Sequence, residues 1–218
     1  DICPLKKLVQ LKEKYFYRLV VDESFSFGTL GGTGRGVTEH CGVDISMVEI
    51  IMLSMESTLA SVGGTCVGSE QIIDHQRLSG VGYCFSASAP PFLSVAACTG
   101  LQVMEENPNL LVSLNQKAEY LHKALSSCKG LQVVSQKGSP LLHMRITDPT
   151  CCDKLEVYAE IVEKCLHEGL VISTTPHSGL DSTVPHITLR MNVTVLLGDK
   201  HMDSVAQILQ KAVHKVVG

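Results

Sequence analysis

The chain has 218 residues, 44% of them hydrophobic, which is enough for one large core or for one and a half domains. Its formal net charge of −4 and its scattered Lys and Arg residues exclude a nucleic-acid partner from the expected functions. The nine cysteines form no Cys-x-x-Cys pair, so we expect reduced, mostly structural cysteines rather than a disulfide framework or a zinc site. No run of about 18 apolar residues predicts a membrane-spanning helix, and no signal-peptide pattern opens the chain.

The first part of the chain has the pattern of an α/β layer structure. It begins with Asp rather than Met and a helical pattern is already under way, so we expect an amino-terminal portion to precede it. The predicted elements are an amphipathic helix at 4–15, a buried parallel strand at 17–22 that ends in an acid, and a glycine-rich loop at 28–36. Two further strands are predicted at 48–53 and 63–68. A short helix follows, and strands alternating with loops and helices favour an α/β architecture.

The character of the sequence changes after Pro90-Pro91. Asn107 and Pro108 separate two predicted helices. For the second helix, Asn107 is the predicted capping residue and Pro108 is the first helical position. The capping-box variant from Asp153 to Glu156 predicts the start of a third helix, which ends at Gly169. Strands are predicted at 131–134, 141–146, near 171 and at 188–193, before a last amphipathic helix. We therefore divide the chain into residues 1–90, the end of a large domain, and residues 91–218, a small α+β domain.

One group of residues has a pattern that indicates a chemical function, and it begins at Asp22. On its own, an acid at the end of a strand can cap a nearby helix or loop. Here it opens the pattern Asp22-Glu-Ser-Phe25-Ser-Phe-Gly28, followed by Gly31-Gly-Thr-Gly34-Arg35-Gly36. The loop lacks the Lys-Ser or Lys-Thr ending of a phosphate-binding P-loop and the spacing of a dinucleotide fingerprint, so nucleotide binding is not predicted.

This order of residues resembles the α-oxoamine synthase group of fold-type I pyridoxal-phosphate enzymes, which carry Asp-x-x-His-x-x-Gly and then Gly-x-x-Gly-Arg-Gly. The resemblance implies that Asp22 occupies the place of the acid that keeps the cofactor's ring nitrogen protonated. Phe25 occupies the place of the family's histidine. Phenylalanine can pack against a flat ring, but it can neither donate a hydrogen bond nor move a proton.

The position of the family's Schiff-base lysine decides the prediction. The family has Thr-x-x-Lys-Ser-x-Gly-x-x-Gly-Gly about 35 residues after the acid, and this chain has Ser54-Met-Glu-Ser57-Thr-Leu-Ala-Ser-Val-Gly63-Gly64. With the Gly-Gly pair in register, Ser57 stands at the lysine position, and a serine cannot form an imine. No lysine occurs between Tyr15 and Gln116, so a shift of register does not supply one. No catalytic residue is therefore assigned.

Further stretches resemble the lysine-free subunits of the serine palmitoyltransferase family, among them the segment from Ile72 to Gly80 and the segment from Gly82 to Pro91. The resemblance implies a heterodimer at the cytosolic face of the endoplasmic reticulum membrane, attached through a region absent from this chain. A lysine-bearing partner would hold pyridoxal 5'-phosphate covalently and condense serine with palmitoyl-CoA to 3-ketosphinganine. This chain alone would be inactive.

The resemblance also implies three candidate contacts. Ser86 and Ser88 match a segment that approaches the phosphate of the neighbouring subunit's cofactor, although serines before a helix can also act as caps. Arg190 matches an arginine that can pair with a substrate carboxylate, or it can brace the interface. His143 and His186 have no base or metal partner at ligand spacing and are expected to be structural.

Two other functions stay open from the sequence. One is an active pyridoxal-phosphate acyltransferase that uses a lysine from an unusual site. The other is a pure scaffold or regulatory subunit whose old pocket binds nothing.

Overall fold

The structure is a computed structural model that describes residues 1–175 and 186–218. Contacts divide the chain into two compact units, Ile2–Leu111 and Val112–Gly218, the second of which includes Asp1. The first unit therefore contains the helix after Pro90, which the division at residue 90 assigned to the small domain. The reason is packing, because Ala97 of that helix is buried with Leu53 and Leu59.

The first unit contains a three-stranded sheet and five α-helices among its described elements. In chain order these are α1 (Leu5–Tyr15), β1 (Val20–Asp22), α2 (Val37–Cys41), a 3₁₀ turn (Ile45–Met47), β2 (Ile50–Ser54), β3 (Gly64–Gly68), α3 (Glu70–Ser79), α4 (Val81–Cys84) and α5 (Pro91–Glu106). The strand order is β1-β2-β3, with β2 parallel to β1 and antiparallel to β3. Asp22 lies opposite Met52 at the carboxyl end of β1.

The core of this unit explains why α1 forms where the sequence predicts it. Leu5 is fully buried, and it packs with Leu19, Val37 and Ile51 beneath the helix. The predicted strand at 17–22 is shorter in the structure and lies at an edge of the described sheet. Val20 and Asp22 are exposed, so the expectation of a buried strand was wrong for these residues.

The second unit is an antiparallel sheet packed against helices. Its elements are α6 (Asn109–Ser126), which begins before the unit boundary, β4 (Leu131–Val133), β5 (Leu141–Ile146), α7 (Leu155–His167), β6 (Ser173–Thr174), β7 (Leu189–Asn192) and α8 (Asp199–Val217). The strand order is β4-β5-β7-β6. Alternation along β5 places Leu142, Met144 and Ile146 in the core with Leu121 and Leu209 from the helices.

Two predicted helix caps are absent. Asp153 does not cap α7, which begins after Lys154 without a side-chain cap, because the Asp153 carboxylate pairs with Arg145 and His186 instead. The side-chain amide of Asn107 donates to the carbonyl of Val103, so it closes α5 rather than opening α6. The end of α7 at Gly169 is confirmed, since this glycine has the left-handed φ of 86° that stops a helix. In the described part of the chain, no helix is both long and apolar enough to cross a membrane.

Candidate functional site

Asp22 ends β1 with its carboxylate at the surface of the unit. Its Oδ1 accepts the backbone N–H of Ser24 at 2.8 Å, which closes a tight turn directly after the strand. Phe25, at the family's histidine position, is 53% exposed. Both side chains are therefore accessible to a ligand or to another protein surface.

Glu23, the residue after Asp22, is the buried carboxylate of this region, and the sequence interpretation missed it. It is 2% exposed, and both of its oxygens lie 3.0 Å from the backbone N–H of Val37 at the start of α2. The Ser26 hydroxyl also donates to it. A side chain at Gly36 would collide with this carboxylate. Glu23 thus ties the glycine-rich loop to the turn that presents Asp22; its only signal in the sequence is its position beside Asp22.

A second carboxylate, Glu39, holds the glycine-rich loop from the other side. It accepts hydrogen bonds from the backbone N–H groups of Thr33 and Arg35, and from the Thr33 hydroxyl. Burial alone would raise the pKa of Glu39, but these hydrogen bonds outweigh it and lower the pKa. The Gly-Arg-Gly loop is therefore organised by two acids of this chain, while the Arg35 side chain is exposed.

Ser57 lies in the loop after β2, and this loop is attached to the Asp22 turn. The Ser24 hydroxyl accepts the N–H of Ser54 at 2.8 Å, and the Thr58 hydroxyl donates to the carbonyl of Phe27 at 2.8 Å. A side chain at Gly28 would collide with Thr58. The structure thus joins the segment of Asp22 and Phe25 to the segment of Ser57.

The backbone of the Ser57 loop contains an unusual residue. Ala60 has a φ of 50°, in the left-handed region that favours glycine, and the family pattern has glycine at this position. The buried Ser61 donates to the Leu93 carbonyl at 2.7 Å and so anchors the loop to α5. Ser57 itself is exposed.

Ser86 and Ser88 lie in residues 81–90, all of which are exposed. The Ser86 hydroxyl donates back to the carbonyl of Gly82. Helix α5 follows Pro90 without a side-chain cap, so the alternative role of these serines as caps is excluded. Whether either serine contacts a cofactor stays a prediction.

Arg190 belongs to the second unit, where it lies half-buried in β7 opposite His143 of β5 and Ser173 of β6. The His143 Nδ1 lies 2.9 Å from the Thr188 hydroxyl on the same face. Burial lowers the pKa of His143, and nearby positive charge that includes Arg190 lowers it further. His143 is therefore a neutral neighbour of Arg190 near neutral pH.

The other predicted structural histidine, His186, lies 3.4 Å from Asp153, which also pairs with Arg145 at 3.2 Å. The Arg145 Nε atom is buried without a hydrogen-bond partner among the described residues. The histidines thus have contacts within the fold, in agreement with the structural role expected for them.

Comparison with known proteins decides the family. A family model described as aminotransferase class I and II matches residues 1–209. The chain belongs to this family. Among solved structures, a serine palmitoyltransferase from Sphingomonas wittichii superposes with a TM-score of 0.84 at 23% identity, covering 99% of this chain and 52% of that one. An 8-amino-7-oxononanoate synthase from Francisella tularensis superposes with a TM-score of 0.75 at 20% identity, covering 95% and 58%. These likenesses confirm the predicted α/β fold of fold-type I pyridoxal-phosphate transferases.

Curated relatives confirm the resemblance to the serine palmitoyltransferase family. The protein named long chain base biosynthesis protein 1c of Oryza sativa subsp. japonica is 40% identical over 100% of this chain and 46% of its own length. The protein named serine palmitoyltransferase 1 of Dictyostelium discoideum is 34% identical over 96% of this chain and 46% of its own length. The chain thus spans about half the length of the curated relatives it matches.

The family implies pyridoxal phosphate, and one solved relative is described as carrying it as an internal aldimine. The residues of this chain do not fit a covalent site for the cofactor. Ser57 stands in the exposed loop beside the Asp22 turn, and residues 16–116 contain no lysine that could form an imine. What the chain offers instead is a set of exposed groups, Asp22, Phe25 and Ser57, on segments that hydrogen bonds from Ser24, Thr58 and the buried Glu23 hold in place.

Proposed function

We propose that this protein is the non-catalytic subunit of a serine palmitoyltransferase. It would support a lysine-bearing partner that holds pyridoxal 5'-phosphate and condenses serine with palmitoyl-CoA to 3-ketosphinganine, in sphingolipid biosynthesis. The observation that carries the proposal is Ser57. The loop that should bear the lysine is formed and anchored by Thr58 and Ser61, yet its reactive amine is replaced by a hydroxyl.

The chain has lost the lysine and histidine of the family pattern but has kept the loops around them. This selectivity supports a site shared with a partner subunit rather than a site that has lost its function. Glu23 and Glu39 still order the glycine-rich loop, and Ala60 keeps the glycine-like backbone of the lysine loop. A subunit that supports the active site of its partner needs these ordered loops, but it does not need a lysine that bonds covalently to the cofactor. We infer that the exposed Asp22 and Phe25 contribute shape and charge beside the partner's cofactor.

The exposed segment at residues 81–90 supports a protein partner. It carries the large apolar side chains Tyr83 and Phe85, the latter 87% exposed, together with Ser86 and Ser88. Exposed apolar side chains in a cluster mark protein interaction surfaces. The proposed occupant is the lysine-bearing subunit, with the two serines directed to its cofactor phosphate and Arg190 available to a carboxylate or to the interface.

The site of action belongs to the same proposal. We place the complex at the cytosolic face of the endoplasmic reticulum membrane, as the resemblance implies, with attachment through a region outside this chain. Fractionation of cells that express the tagged full-length protein tests this location. Recovery of the complex in a fraction without membranes would contradict it.

Co-expression with a lysine-bearing homologue tests the proposal. We expect the pair to co-purify and to make 3-ketosphinganine from labelled serine and palmitoyl-CoA, while each chain alone is inactive. Phe85→Ser should weaken co-purification, and Leu196→Ser is a matched control, because Leu196 is equally exposed but lies in the second unit. Co-purification that Phe85→Ser leaves unchanged would argue against the proposed interface.

The same assay separates the two alternative functions. Activity of this protein expressed at full length without a partner would favour an acyltransferase with an unusual lysine. Activity of the complex that is indifferent to both Ser86→Ala and Arg190→Gln would favour a pure scaffold subunit.

A further inference from the structure

Helix α1 presents a positively charged face to solvent. It turns Leu5, Leu8 and Val9 towards the core. On the other side, Lys6, Lys7 and Lys14 are exposed, and none of the three has an ion pair among the described residues. The face opposite a helix's buried stripe points away from the sheet. These lysines therefore point away from the protein's own core.

The end of α1 adds apolar rings to this charge. Tyr15 is exposed with the Lys14 ammonium 4.9 Å from its ring centre. Phe16, in the left-handed conformation that ends the helix, is 92% exposed. The Arg18 side chain is 83% exposed. We name Lys7, Lys14, Tyr15, Phe16 and Arg18 the α1 surface.

Acidic side chains only partly balance this charge. Glu13 is exposed on the same helix, and Glu49 is already engaged by Lys12 at 2.8 Å as well as by Arg18 at 3.3 Å. The α1 surface and its neighbour Lys6 therefore carry a local excess of positive charge in a chain whose net charge is −4.

We propose that the α1 surface binds the anionic headgroup layer of a phospholipid bilayer. Lysine and arginine gain from the negative surface potential of such a layer, and aromatic rings beside them insert at the level of the headgroups. Tyr15 and Phe16 are adjacent and exposed at the end of α1, so both rings are accessible to such a layer. The inference does not depend on pyridoxal-phosphate chemistry or on the proposed subunit role.

Vesicle flotation with the whole chain tests the proposal. We expect binding to phosphatidylcholine vesicles that contain phosphatidylserine, little binding to phosphatidylcholine alone, and a decrease as salt is raised. Removing two lysines with Lys7→Gln and Lys14→Gln together should weaken binding about thirtyfold. Phe16→Asn, which keeps the left-handed backbone but removes the ring, should weaken it severalfold.

The double variant Lys123→Gln and Lys200→Gln is the matched control, since it removes the same charge from two exposed positions of the second unit. We expect it to bind as the unchanged chain does. Equal binding to both kinds of vesicle, or an equal loss in the control variant, would overturn the proposal. An acidic protein captured through these lysines, with no vesicle binding, would overturn it as well.

Discussion

The two adjacent acids at the end of β1 have opposite environments. Asp22 is exposed and binds only the turn after it, whereas Glu23 is buried and satisfied by Val37 and Ser26. A buried carboxylate is tolerated only when hydrogen bonds replace its hydration. The turn that presents Asp22 is therefore fixed by the buried carboxylate of its neighbour Glu23.

Removal of the Glu23 side chain tests this dependence. Glu23→Ala leaves the buried N–H of Val37 without an acceptor, so we expect the free energy of unfolding to fall by about 1–3 kcal/mol. Hydrogen exchange of the Val37 amide should accelerate at the same time. Glu13→Ala, at an exposed position, is the control, and an equal effect of both changes would contradict the assigned role.

His143 gives the second unit a dependence on pH. Burial is the main cause of its lowered pKa, so the folded protein binds the proton less readily than the unfolded chain does. Unfolding therefore takes up a proton as the pH falls past the ordinary histidine value of about 6.5, and stability should decrease from there towards the lower pKa of the folded state. His143→Gln should reduce this fall, measured by urea denaturation, while His214→Gln at an exposed position should not.

The charge of Glu49 acts in a separate and more acidic range. Burial opposes its ionisation, but hydrogen bonds from Lys12, the Leu19 N–H and Arg18 lower the pKa of Glu49 to about 2. Its contribution to stability is thus fully present above the ordinary carboxyl value of 4.5 and is lost progressively as the pH falls from there to about 2. It does not overlap with the range in which His143 titrates.

At the scale of elements, Tyr158 of α7 connects a helix, a strand and a loop. Its side chain is fully buried, and its hydroxyl accepts the N–H of Ile146 at 3.1 Å and donates to the carbonyl of Cys152 at 3.0 Å. The adjacent cysteines Cys151 and Cys152 thus lie in a turn fixed to the sheet. Neither cysteine forms a disulfide in this turn.

Tyr158→Phe should remove both hydrogen bonds with little change of shape. We expect a loss of about 1–2 kcal/mol in the free energy of unfolding, because the Ile146 N–H is left unpaired in the core. Tyr120→Phe removes a hydroxyl that bonds to Asp203 at the surface, and its effect should be within about 0.5 kcal/mol. Denaturant unfolding of both variants makes the comparison, and equal losses would argue against the role of Tyr158.

Helices were the most predictable elements. The apolar spacing of Leu110, Leu114, Ala118, Leu121 and Leu125 predicts one buried face of α6. The structure buries the last four, whereas Leu110, in the first turn of the helix, is 39% exposed. Caps were less predictable, because Asp153 has competing partners, Arg145 and His186, that come together only in the fold. Propensity cannot weigh such long-range partners.

In the candidate site, too, local sequence patterns predict some features, while others are determined only by the fold. Motif spacing is enough to place Asp22 at the end of one strand and Ser57 in the loop after another, and the structure joins the turn after Asp22 to that loop. The links themselves, from Ser24, Thr58 and the buried Glu23, follow from turn geometry and burial. Neither can be read from residue spacing alone.

At the scale of the whole molecule, the chain has the fold of its family over about half the length of its relatives. Its first unit joins the segments that match the family's cofactor motifs, with Ser57 at the lysine position and no lysine in residues 16–116, and its second unit is a sheet and helices around a large core. These features agree with the proposed role of a subunit that supports a catalytic partner.

The most direct test of the central claim is the absorbance spectrum of the purified protein with pyridoxal phosphate, before and after borohydride. We expect no aldimine band near the visible edge and, after reduction and peptide mapping, no cofactor fixed at a defined lysine. The complex with a lysine-bearing partner should show both, with the adduct on the partner. A stoichiometric reduced adduct at one lysine of this chain would contradict the account.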